Sequence, residues 1–134
     1  MHFQLTRFSL SFFFLAGFFT PGRLYRVPMF LSSSADWAMC QRTFCSRAQH
    51  QSGLPPVLFF IRINPEYKCV HVNFVKHTNC EGEGEFLFVP YSVFEVAGVE
   101  WRESPTWEFP HLIYVDAMSD NRNYPEDLPL APWH

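Results

Sequence analysis

The chain has 134 residues and a formal net charge of −3. No basic block interrupts it, so a nucleic-acid surface is not expected. Hydrophobic residues make up 48% and aromatics 19%, including sixteen Phe; that excludes a disordered chain and calls for one small domain with a real core.

The first apolar segment is "RFSLSFFFLAGFFT", in which Arg7 precedes a run from Phe8 to Phe19. The run is too short to span a bilayer and has the length of a signal-peptide core, without a clear small-x-small cleavage site after it. The competing readings are a buried strand or helix, or a start foreign to the domain. Residues 1–21 are therefore set apart from a domain over residues 22–134. Secretion is expected only if residues 1–20 are a signal peptide, and membrane contact only if the run is retained. The chain has no N-x-S/T acceptor.

"RVPMFLSSS" reads as a short strand ending in hydroxyls. "SADWAMCQRTFCSRAQ" reads as a helix that Ser33 or Ser34 can cap, with Asp36 in its first turn. Its apolar face is expected at Trp37, Ala38, Phe44, Cys45 and Ala48. "SGLPP" breaks it. Val57 to Ile63, "VLFFIRI", is a buried strand. In "CVHVNFVKH" the apolar Val70, Val72 and Phe74 alternate with His71 and Asn73, as in a half-buried strand. Glu85 to Val89 and Tyr91 to Trp101 are strands divided by Pro90, and "HLIYVDA" closes the set. The tail "NRNYPEDLPLAPWH" is irregular, with Trp133 pinned to the body. Eleven prolines favour short strands and turns. The fold class is α+β, with one helix on short, mostly antiparallel strands.

Cys40, Cys45, Cys69 and Cys80 form no C-x-x-C pair. They read as small buried apolar residues; two disulfides, in any of three pairings, are the alternative in an oxidising compartment. His71, His77 and Cys80 lack a fourth partner, so no metal is expected.

Two short runs carry chemistry. In "CEGEGEFLF", Glu81, Glu83 and Glu85 fall on every second residue, so an extended chain aims all three one way, about 7 Å apart. Such carboxylates repel, and two of them can divide labour between stabilising a cation and handling a proton. Alone, the run reads equally as a solvated acidic turn. "FLSSS", alone, reads as a helix cap.

Their order changes the reading. An aromatic-x-Ser-Ser-Ser strand, a helix, and then Glu-x-Glu directly before an apolar strand with a proline, "EGEFLFVP", resembles the arginine-specific mono-ADP-ribosyltransferases of the arginine–serine–glutamate class. The resemblance runs from Gly22 to Trp101. It implies an ADP-ribosyltransferase-like core of two packed sheets with one or two helices. It implies NAD as substrate, a protein with an exposed arginine as acceptor, and transfer of ADP-ribose with release of nicotinamide. Glu85 then takes the catalytic position and Glu83 the one that orients the acceptor guanidinium. Ser32 holds the catalytic carboxylate and helps seat NAD, with Ser33 beside it in the cofactor-binding set. Ser34 supports the loop or caps the helix, and Glu81 has no role. The early arginine strand of the family has no counterpart: Arg7, Arg23 and Arg26 alone precede Ser32, and "GRLYRV" stands too near the serines. The alternatives are an NAD glycohydrolase, with water as acceptor, and a truncated, non-catalytic transferase-like domain.

Overall fold

The computed structural model describes residues 2–6, 12–45, 50, 55–63, 72–75 and 85–132. The strands are β1 (His2–Thr6), β2 (Leu24–Val27), β3 (Leu31–Ser34), β4 (Val57–Ile63), β5 (Val72–Val75), β6 (Glu85–Phe88), β7 (Ser92–Glu100) and β8 (His111–Ala117). They follow the hydrogen-bonded order β2-β7-β8-β4-β1-β3-β6-β5. Between β1 and β3 the order rests on one pair, Phe3 with Ser34. The ladder therefore divides into a five-stranded part and a three-stranded part. β4 and β8 run parallel, and the other pairs are antiparallel. This is the expected α+β core of short, mostly antiparallel strands in two packed sheets.

The two parts share a core because strand alternation sends one apolar set from each inward. Leu31 and Phe88 from the small sheet join Val27, Phe59, Ile61, Phe94, Val96, Ile113 and Val115 from the large one. Phe88 meets Phe94 edge to face across the gap, with ring centroids 5.3 Å apart. Edge-to-face packing adds to the gain from burial itself, which is about 1.5–3 kcal/mol for a large side chain.

Described residues from the first 21 also contact this body. β1 lies between β4 and β3, in register from His2–Ile61 to Thr6–Val57. Helix α1 (Phe12–Phe18) delivers Leu15, and Phe19 follows it into the core. Phe19 packs edge to face on Phe59 at 5.4 Å and on Tyr25 at 5.6 Å. Burial alone pushes the Tyr25 hydroxyl well above its ordinary pKa.

"RVPMFLSSS", expected as one strand, is two. β2 pairs with β7 and β3 with β6, so residues 28–30 cross from one sheet to the other. Pro28, without an N–H to donate, marks the break. Residues 89–91 make the same crossing alongside, where Tyr91 N donates to Val27 O at 2.6 Å. Tyr91, expected within a strand, instead takes a left-handed φ of 63° at this turn. The helix after the serines is also altered. Among its described residues it is α-helical over Trp37–Met39 (α2) and π-helical over Cys40–Cys45. Trp37, expected on the apolar face, is exposed, and Cys40 takes the buried place against Leu58. Among the described residues Cys40 forms no disulfide; Cys69, Cys80, Ala48 and Trp133 lie outside the described residues. Among the described residues no helix is long and apolar enough to cross a membrane.

β2 is an outer strand of the large sheet, and the C-terminal segment covers its free edge. Arg26 N donates to Pro129 O at 2.9 Å, and Ala131 N donates to Arg26 O at 2.8 Å. Covering an edge in this way removes a row of unpaired backbone groups.

Candidate active site

β3 and β6 place the two expected motifs side by side. Their register sets Leu31 opposite Phe88, Ser32 opposite Leu87, Ser33 opposite Phe86 and Ser34 opposite Glu85. Leu31, Ser33 and Phe88 are buried toward the core. By alternation Ser32 and Glu85 share the other face, two residues apart along the diagonal. A diagonal pair is within reach of one short and one long side chain. Ser32 Oγ donates to Glu85 Oε1 at 2.5 Å. A bond from a hydroxyl to a carboxylate is short and strong compared with neutral pairs. Ser32 is exposed and Glu85 half-buried, so the pair faces solvent while its backbone is fixed within a sheet.

The other two serines are used differently. Ser33 is 3% exposed, and its Oγ donates to the backbone oxygen of Phe86 at 3.1 Å. That bond satisfies a buried hydroxyl and ties β3 to the residue next to Glu85. Ser34 Oγ accepts from Asp36 N at 3.1 Å, supporting the turn that leads into α2. One face of the strand thus carries a hydroxyl to the open side, and the next residue carries one to the core.

Phe30, two residues before Ser32, is 62% exposed, and Met29 beside it is exposed as well. Glu81 and Glu83 lie outside the described residues, as do His71, His77 and Cys80. Among the described residues no group of three or more His, Cys, Asp and Glu could hold a metal ion.

Sequence reasoning gave Arg26 no role, and its place is now clear. It is 6% exposed and is spent on main-chain oxygens. Nη1 donates to Tyr91 O at 2.8 Å and Nε to Pro125 O at 3.1 Å. Nη2 donates to Pro125 O at 2.8 Å, Tyr124 O at 2.9 Å and Asn121 O at 3.2 Å. Among the described residues no carboxylate pairs with it. The only sequence signal was an arginine inside an apolar strand, and that pattern does not name its partners.

No protein-family model and no curated protein sequence matches the chain. Solved structures do. Vis toxin, an ADP-ribosyltransferase from Vibrio splendidus, is similar with a TM-score of 0.67 and 20% identity, over 99% of this chain and 54% of that one. Vis has also been solved in complex with agmatine. The ADP-ribosyltransferase HopU1 of Pseudomonas syringae is similar with a TM-score of 0.56 and 17% identity, over 87% of this chain and 44% of that one. The catalytic domain of VahC from Aeromonas hydrophila gives 0.53 and 21%, over 88% and 60%. This chain spans about half the length of the structures it resembles.

Proposed function

We propose that this chain, whose fold is that of the ADP-ribosyltransferases, uses NAD as substrate and moves ADP-ribose to an arginine side chain. The observation that carries the reading is the Ser32–Glu85 hydrogen bond, which joins the two sequence motifs on one open face. Glu85 accepts a hydroxyl of the nicotinamide ribose. Its negative charge stabilises the oxocarbenium-like state as the bond to nicotinamide breaks and the bonding electrons leave with the ring. An arginine nitrogen then forms the new bond to the anomeric carbon and gives up a proton. Ser32 keeps Glu85 aimed by donating its hydroxyl to the carboxylate. Ser33 acts from the core side by holding the strand.

The arginine preference rests on Glu83, two residues before Glu85. A carboxylate there can take a guanidinium through paired hydrogen bonds and accept the proton. That Vis was solved with agmatine, a guanidinium compound, supports the same class of acceptor.

Labelled NAD incubated with the protein and agmatine tests the reading. Glu85→Gln should abolish nicotinamide release. Glu83→Gln should spare hydrolysis and lose transfer. Equal hydrolysis with and without agmatine would make the chain a glycohydrolase. No release from the unmodified chain would leave a non-catalytic domain and sink both enzyme readings.

A further inference from the structure

The loop between β7 and β8, residues 101–110, is closed at its base by an imidazole. Arg102 N donates to Nδ1 of His111 at 2.9 Å, and Arg102 Nε donates to Pro110 O at 3.3 Å. At the tip Thr106 and Phe109 exchange backbone hydrogen bonds, each 3.1 Å. The loop is seated on the segment that follows the serine strand. Trp107 packs with Cys40 and Leu58, and Gln41 Nε2 donates to Glu108 O at 2.6 Å. His111 is 3% exposed, lies edge to face with Trp101 at 5.2 Å, and its backbone N–H donates to Pro56 O at 3.1 Å.

We propose that His111 is a pH-sensitive clasp: its neutral Nδ1 lone pair holds the base of the 101–110 loop shut, and protonation releases the loop from the π-helical segment behind the Ser32 strand. The geometry leaves no middle state. A neutral imidazole can accept at Nδ1, whereas an imidazolium donates from both nitrogens. Protonation therefore sets a second N–H against the Arg102 N–H in a buried place. One nearby charge, that of Arg102, opposes the proton too. From the loop, the Arg102 guanidinium lies near His111 and is itself paired with Glu100 of β7 at 3.4 Å. From β8, the Tyr114 hydroxyl is engaged with the same Glu100. From the start of β4, Pro56 and Val57 present no titratable side chain. Burial first, and then the charge of Arg102, hold His111 below its ordinary 6.5.

The sign follows. Released and unfolded forms bind the proton near 6.5, and the closed form binds it only at lower pH. Closure is complete above that value and weakens as pH falls from it toward the lowered midpoint. In that window opening rises by up to about tenfold per pH unit. The clasp depends on the loop alone, so it stands whether or not the chain cleaves NAD.

The test is amide hydrogen exchange of residues 102–109 in the whole chain, corrected for the intrinsic effect of pH, between pH 7.5 and pH 5. The protein should lose protection by more than about twofold over this range, at no more than about tenfold per pH unit. His111→Asn should hold it constant to within about twofold, because Oδ1 can stand where Nδ1 stands and does not titrate. Constant protection in the unmodified chain overturns the proposal, as does an equal loss in the Asn variant. Should that variant not fold, magnetic resonance of the unmodified chain decides. The His111 ring must titrate below 6.5 with the same midpoint as the Arg102 amide; separate midpoints, or an ordinary histidine value, refute the clasp.

Discussion

Replacing Arg26 with Met removes the charge and the fork but keeps an unbranched chain in the same space. Five hydrogen bonds then disappear, from four carbonyl oxygens at residues 91, 121, 124 and 125. A buried oxygen left without its donor costs about 1–3 kcal/mol. The simple sum overshoots here, because Tyr91 and Pro125 are exposed residues and water can reach their oxygens. The desolvation of a buried guanidinium is also recovered when it is removed. The expected loss is about 2–4 kcal/mol, a large part of the roughly 5–15 kcal/mol that holds a small domain folded. Urea unfolding reads it as a midpoint lower by about 1–2 M at unchanged slope. The backbone amides of Arg26 and Ala131, which bind the tail to β2, should lose exchange protection before those of β4. Arg26→Lys should recover only part of the loss, since one ammonium cannot reproduce a planar fork. A midpoint for Arg26→Met that moves by less than about 0.5 kcal/mol equivalent would refute the reasoning, because it would show the tail held by other contacts.

If the chain cleaves NAD as proposed, Ser32→Ala should lower that rate by about 5–30-fold, the equivalent of about 1–2 kcal/mol for an exposed charge-assisted bond, with the urea midpoint unchanged. Steady-state kinetics beside an unfolding curve separates a misaimed Glu85 from a weakened fold; an unchanged rate removes Ser32 from the site. Phe59→Ala, in a residue 1% exposed and packed on Phe19, should cost about 3–5 kcal/mol in the same unfolding assay. Phe30→Ala, in a residue 62% exposed, should cost less than about 0.5 kcal/mol. Comparable losses for the two would contradict the assignment of the core.

Much of the fold was legible because strand formation is written locally. Val57 to Ile63 and His111 to Ala117 are strands with the bounds their apolar patterns imply. The helix after the serines was legible in place but not in kind. Its α-to-π change turns Cys40 inward and leaves Trp37 outside, and the apolar periodicity does not carry that shift. The start was ambiguous for a related reason: an apolar run of that length suits a leader and a core element alike, and its local pattern does not say that Leu15 and Phe19 pack where they do here.

The sequence by itself determined the order serine run, helix, acidic run, and the period of two that aims alternate glutamates one way. These follow from residue type and a period of two, which are local properties. Tertiary structure alone decided that the two residues, 53 positions apart, meet. It decided equally that β4 lies parallel to β8, that Pro28 and Pro90 mark two crossings between sheets, and that Arg26 latches the tail. Those outcomes depend on which distant strand edge pairs with which, and that is settled by burial of a shared apolar core rather than by any stretch of chain alone.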